Sequence, residues 1–230
     1  MRRLLYCLMV GLAFMLILFF MQNSDSVAVF RNADARQTLI IDAGHGGFDG
    51  GAQAPDGTAE QYINLCISND LYALCGLFGE SSIRTRTDEK ALVYDAGRTI
   101  RENKTADIRA RKTIAESVPN GVFLSIHLNK FDQPQYYGAQ TFYSTRNEAS
   151  ELYAEAIQNT LVLGIQNNNN RKAKPAPQTV FLTQQLNCPA VIVECGFLSN
   201  PTELDRLKET DYQKKLALCI FCGYMGAQNR

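Results

Sequence analysis

Three short runs in this chain are apolar almost from end to end: TLIID at 38–42, VFLSIHL at 122–128 and AVIVE at 190–194. A strand with one wet face alternates polar and apolar residues. These do not, and each reads as a strand, 38–42 as a buried one and 122–128 as one buried on both faces. The stretches between them carry a helical period. From Glu60 to Phe78, Ile63, Ile67, Leu71, Leu74 and Phe78 fall on one helical face. Residues 105–117, 147–165, 201–208 and 211–224 are expected as further helices, and 81–86, 138–143 and 179–182 as further strands. Residues 88–104 read as a charged surface loop with a helical start, and NNNNRKAKPAP at 167–177 as an exposed loop. Strands alternating with helices imply one α/β domain, a central mostly parallel or mixed sheet flanked by helices.

The N-terminus is a separate problem. Arg2 and Arg3 precede Leu4 to Met21, which holds no charge. As a helix that run would span roughly 27 Å, near the thickness of a bilayer's hydrocarbon core. It is longer than a signal peptide's apolar region, and FFMQNSDS offers no small-x-small cleavage site beside it. A retained signal-anchor is therefore favoured over a cleaved signal peptide, with the two arginines on the cytoplasmic side. The expected organisation is an anchor at 1–21, a polar tether at 22–37 and a catalytic domain at 38–230. On this reading the domain is exported and tethered at the outer face of the cytoplasmic membrane.

Beyond the anchor the chain holds 21 basic and 23 acidic residues, because Arg2 and Arg3 account for two of the 23 basic ones. That balance gives no footprint for nucleic acid. Six of the seven cysteines lie in the exported part. Cys66 and Cys75 share one expected helix, about 13 Å apart along its axis, too far to bridge. Cys219 and Cys222 form a CxxC inside the apolar LALCIFCGYM and read as small core residues.

Only two histidines occur. His45 sits in the glycine-rich LIIDAGHGGFDGGA, after the first strand, and His127 closes the second. Glu60 opens a helix and Glu194 ends the third strand. Sites in such sheets gather beyond the carboxyl ends of strands. Two imidazoles, one ligating carboxylate and one free carboxylate are what a hydrolytic zinc site needs. Glu194 resists a bland reading, since an unpaired carboxylate buried after Ala-Val-Ile-Val costs several kcal/mol. Gly44, Gly46 and Gly47 bracket His45 and permit tight turns and close backbone approach. Spacing alone leaves zinc open, because no short HxxxH or CxxC pair fixes it.

The ordered strings IDAGHGGFDGGA, Glu60 at a helix start, DIRARKTIAE, FLSIHLN and VIVECGFLSNPTE resemble the zinc-dependent N-acetylmuramoyl-L-alanine amidases of bacterial cell walls. The likeness covers about 38 to 226. The family's DPGHGG stands here as Asp42-Ala43-Gly44-His45-Gly46-Gly47. The resemblance implies that His45, Glu60 and His127 bind one Zn2+ and that Glu194 is the catalytic carboxylate. Arg111 and Asn129 fall on positions the family pattern favours, as supporting residues. It further implies hydrolysis of the amide between the muramic acid lactyl group and L-alanine of peptidoglycan. The anchor with one small domain, GAQTFY and RKAKP resemble the family's germination-specific, spore-cortex subgroup, in which stem peptides are removed and muramic-δ-lactam forms.

Arg171, Lys172 and Lys174 could guide glycan strands that carry carboxylates, or simply be solvated. Tyr136, Tyr137 and Tyr143 could stack on sugars, or be core aromatics. A zinc peptidase acting within the stem peptide and a dormant, membrane-tethered wall-binding module are the alternatives. Need for an accessory activator protein stays open.

Overall fold

The computed structural model describes residues 37–228. Six strands and six helices lie among them. The strands are β1 (Thr38–Ala43), β2 (Ser82–Arg84), β3 (Gly121–Asn129), β4 (Gln140–Tyr143), β5 (Lys174–Pro175) and β6 (Ala190–Phe197). The helices are α1 (Glu60–Phe78), α2 (Ile100–Glu116), α3 (Ala149–Gly164), α4 (Phe181–Gln185), α5 (Pro201–Lys208) and α6 (Thr210–Gln228). The strands form one sheet in the order β2-β1-β3-β6-β4-β5. Every pair is parallel except β4 with β6. The expected α/β domain with a mixed sheet is what the chain forms.

The three apolar runs are the sheet's centre, and their residues divide between its faces with a period of two. Leu39 and Ile41 of β1, with Leu124 and Ile126 of β3, meet α1, α3 and α6 through Ile63, Ile67, Ile157, Leu161, Leu216 and Ile220. Each such buried side chain contributes about 1.5–3 kcal/mol. The other face is thinner. There Ile40, Phe123 and Ala190 pack on Ala115 of α2 and on Leu182 and Leu186 around α4. Further along that face the residues turn polar: Asp42 on β1, Ser125 and His127 on β3, and Glu194 on β6. A strand that is apolar at one end and polar at the other, on one face only, places the functional site at the carboxyl ends of β1, β3 and β6.

Two expectations fail on this second face. Helix α2 begins at Ile100, not 105, so most of the expected loop's last residues are helical. Its buried residues are Asn103, Asp107, Arg111 and Ala115, a helical period written in polar side chains that an apolar search does not see. Thr99 caps it, with its hydroxyl accepting from Glu102 N and the Glu102 carboxylate accepting from Thr99 N. Residues 179–182 are not a strand; Phe181–Gln185 is a short helix with Leu182 buried. The edge strand is instead Lys174–Pro175, inside the run expected to be loop. Short apolar runs are ambiguous by period, and a two-residue edge strand leaves almost no signature.

The six cysteines among the described residues are free. Cys219 is in the core as expected, whereas Cys222 is exposed, one turn later on the outer side of α6. No helix among the described residues is long and apolar enough to cross a membrane. The expected anchor, Leu4 to Met21, lies outside them.

Candidate active site

His45 leaves β1 in the left-handed conformation, at φ 62°. The loop that holds it is clamped from below by two arginines. Arg86 donates to Ala43 O at 2.8 Å and Gly44 O at 2.9 Å. Arg111 donates to Ala43 O at 2.8 Å and His45 O at 2.6 Å. Arg111 is itself anchored on buried carboxylates, 2.6 Å from Asp42 and 2.8 Å from Asp107. Asp42 also accepts from Thr85 and Ser125 hydroxyls. Burial alone would raise the Asp42 carboxyl. The Arg111 guanidinium and the two hydroxyls outweigh it and hold Asp42 below the ordinary value.

Glu60, the first residue of α1, comes back over the rim of the sheet and is 3 % exposed. Its Oε1 lies 2.9 Å from His127 Nδ1, and its Oε2 lies 3.3 Å from His45 Nε2. The backbone N–H groups of Ala52 and Leu128 donate to the same carboxylate, as does Asn64 Nδ2. Burial pushes Glu60 up, but both imidazoles hold it well below the usual carboxylate range. The His45 and His127 ring centroids are 4.9 Å apart. On its far side His45 Nδ1 meets Asp49 Oδ2 at 3.0 Å, and Lys104 from α2 holds Asp49 at 2.8 Å. Burial would lower the His45 pKa; the Asp49 and Glu60 carboxylates raise it to about 9.

Glu194 stands beside this cluster. It is in register with His127 on the neighbouring strand, about 4.8 Å away along the ladder. Its Oε2 is shut off from solvent and has no hydrogen-bond partner among the described residues. Burial pushes its pKa up to about 7.

One ligand atom from each of His45, Glu60 and His127 falls within 4.8 Å of the others, so the three could hold a metal ion. The surroundings fit one. His45 uses its second ring nitrogen on a carboxylate, as metal-bound imidazoles do. Glu194 stands alongside with an orphaned acid oxygen. The sequence-expected quartet therefore converges. Arg111 lies beneath the loop as a support. Asn129 ends β3 outside the cluster, its Oδ1 accepting from Lys130 N. Arg171, Lys172 and Lys174 line a separate groove with Tyr136 and Tyr137. Tyr143 is on the sheet's other face and donates to Glu151.

The sequence reading missed Asp42, Asp49, Arg86 and Lys104. Asp42 carried the same signal as Glu194, a carboxylate closing an apolar run. Asp49 follows His45 by four residues within the glycine loop.

A family profile described as N-acetylmuramoyl-L-alanine amidase matches residues 39–223. The chain belongs to this family. The amidase is 30 % identical over 229 residues to the germination-specific N-acetylmuramoyl-L-alanine amidase of Bacillus subtilis, covering 98 % of this chain and 95 % of the relative. Among solved structures it is similar to the CwlD amidase of Clostridioides difficile in complex with the GerS lipoprotein. The TM-score is 0.81 at 39 % identity, over 84 % of this chain and 98 % of that one. Against the amidase AmiC2 of Nostoc punctiforme the TM-score is 0.71 at 27 % identity, over 84 % and 98 %. The amidase is thus a peptidoglycan hydrolase that cuts the bond between the muramic acid lactyl group and L-alanine. This sets aside the stem-peptide peptidase and the dormant wall-binding module.

Proposed function

We propose that His45, Glu60 and His127 hold one zinc ion and that Glu194 is the general base and acid of the amide hydrolysis. The observation that carries this is the orphaned Oε2 of Glu194 beside a three-ligand cluster. When bound, zinc acidifies water and polarises a carbonyl oxygen. Glu194 accepts a proton from the attacking water and delivers it to the departing L-alanine nitrogen. Without that second transfer the leaving group would be an amide anion. Burial favours the protonated form of Glu194, which suits a carboxyl group that takes up a proton and then passes it on. Asp49 orients His45, and Arg86 and Arg111 fix the loop that carries it.

The biological setting we infer is spore cortex, and the similarity to a germination-specific amidase supports it. The domain would work outside the cytoplasmic membrane, held by residues 1–21 through a tether at 22–37, with 38–230 as the catalytic domain. An accessory lipoprotein is a candidate partner, because the similar Clostridioides difficile amidase was solved in complex with one.

Purified cortex peptidoglycan should be digested with the zinc-loaded protein, with and without a chelator, and the products read by mass spectrometry. Stem peptides released intact from muramic acid, only without chelator, are the expected result. Products cut within the stem, or unchanged release under chelation, would overturn the assignment.

A further inference from the structure

A groove of about 410 Å³ opens beside the site, lined by residues that include Tyr136, Gln140, Asn169, Arg171, Lys172 and Lys174. None of the four site residues lines it, but Gln140 joins the two. In the antiparallel β4–β6 ladder Gln140 is directly opposite Glu194. Their side chains therefore leave the same face of the sheet, about 5 Å apart. Gln140 Oε1 accepts from Arg171 Nη1 at 2.9 Å. A row thus runs across the rim from His127 through Glu194 and Gln140 to Arg171.

Arg171 is held in place by its neighbours. Its backbone N–H donates to Asn169 Oδ1 at 3.0 Å, and Asn169 is 3 % exposed. Asn169 Nδ2 in turn donates to Ala139 O and to Gln166 Oε1. The Arg171 Nε donates to Tyr137 O at 2.8 Å, and the guanidinium lies 4.6 Å over the Phe197 ring. These acceptors are neutral, so the guanidinium is positioned without a carboxylate bonded to it. Glu203 is electrostatically coupled to Arg171. Its two oxygens, however, accept from the backbone N–H groups of Gly138 and Phe197. Lys172 and Lys174 add two exposed cations to the same groove.

We propose that Arg171 anchors a free carboxylate of the stem peptide, two residues beyond the scissile amide, and selects substrates by that charge. The inference rests on the amidase reading above. The guanidinium lies over Phe197, three residues beyond Glu194 on β6, roughly 10 Å along the strand. Two residues of extended peptide reach about 7 Å, and a carboxylate hydrogen-bonded to the guanidinium covers the remainder. The second stem residue, a glutamate joined through its side chain, keeps its α-carboxylate free unless it is amidated. A planar guanidinium donates two parallel hydrogen bonds to such a group, which an ammonium cannot reproduce.

The test compares two soluble glycan–peptide substrates that differ only in a carboxylate or a carboxamide at that α position. The zinc-loaded wild type should favour the carboxylate in kcat/KM by about 10–100-fold, the range for a charge-assisted hydrogen bond left unmade. R171Q should lose activity on the carboxylate substrate alone, bringing the two substrates level. R171K should keep only part of the preference. A wild type indifferent to the α group, or an R171Q that slows both substrates equally, would overturn the anchor and leave the amidase assignment standing. Turnover of neither substrate by wild type would overturn both.

Discussion

Gly44 and His127 touch so closely that a single added carbon does not fit: a Cβ on Gly44 would lie 2.3 Å from Cε1 and 2.4 Å from Nε2 of the imidazole. The glycine that follows β1 is therefore part of the geometry of the His45–Glu60–His127 cluster. Gly51 plays the same part on the opposite side, where a Cβ would lie 2.5 Å from Glu60 Oε2 and 2.7 Å from His45 Cδ2. The expected outcome for Gly44→Ala is a displaced His127. A displacement near 1 Å should lower kcat/KM about 100-fold or more. Zinc titration of the purified variant, read beside its circular dichroism, checks that the loss is local. Wild-type affinity and turnover in Gly44→Ala would show that the imidazole moves aside freely.

Glu194→Gln keeps the shape and removes the charge. Zinc content should stay near one per chain while kcat falls about 10²–10⁴-fold, the usual worth of acid–base assistance. The same variant should not lose stability. The wild-type Oε2 is a buried acceptor with no partner among the described residues, a state that costs about 1–3 kcal/mol. Paired metal analysis, steady-state kinetics and urea denaturation separate the two effects. A variant that turns over normally would remove Glu194 from the mechanism.

His45, Glu60, His127 and Glu194 were legible in the sequence because each is a polar residue that interrupts or borders an apolar pattern, although β6 runs on past Glu194 to Phe197 and β3 past His127 to Asn129. Their convergence follows from the parallel order of β1, β3 and β6. Of what supports them, Arg111 was legible through the family pattern and the rest was not. Asp42, Arg86, Arg111 and Asp107 form a buried polar layer beneath the loop, and hydrophobic periodicity carries no information about such a layer. The same blindness shortened helix α2, whose inner stripe is Asn103, Asp107 and Arg111. The motif TIRE at 99–102 held the missing start as a capping box. The two-residue strand β5 depends on pairing with β4 alone, and a loop sequence satisfies that pairing as well as any.

Removing Arg111 should be costly. Arg111→Met leaves Asp42 and Asp107 buried without their cation, a change expected to destabilise by about 3–5 kcal/mol. It also releases the carbonyls of Ala43 and His45. Denaturant unfolding at neutral pH measures the loss. A shift under 1 kcal/mol would mean that water replaces the guanidinium.

Acid should weaken the fold through Asp42. Its folded pKa is held below the ordinary 3.8, against burial, by Arg111, Ser125 and Thr85. The folded state thus binds this proton less readily than the unfolded chain. The corresponding stability is fully present above about pH 4 and is lost as pH falls through the folded pKa. Asp42→Asn should be less stable than wild type at pH 7, with a gap that narrows below pH 4. Thermal melts across pH 2–7 follow both proteins; a gap that stays constant would show that Asp42 does not titrate in this window.

Zinc itself should report which residues hold it. A ligand that binds only the folded state stabilises it by about 2.7 kcal/mol at a hundredfold excess over its dissociation constant. Adding zinc to the chelator-stripped wild type should therefore raise Tm by several degrees. His45→Ala and His127→Ala remove ligand atoms from a cluster of three and should lose the shift. Glu194→Gln keeps all three, so its Tm should still rise with zinc although its turnover is gone. Asp49→Asn falls between, because Asp49 bonds the ring of His45 without belonging to the cluster; its affinity should drop about 10–100-fold. Calorimetric melts at several zinc concentrations give this ranking without reference to activity. A full zinc shift in both histidine variants would show that the ion binds elsewhere.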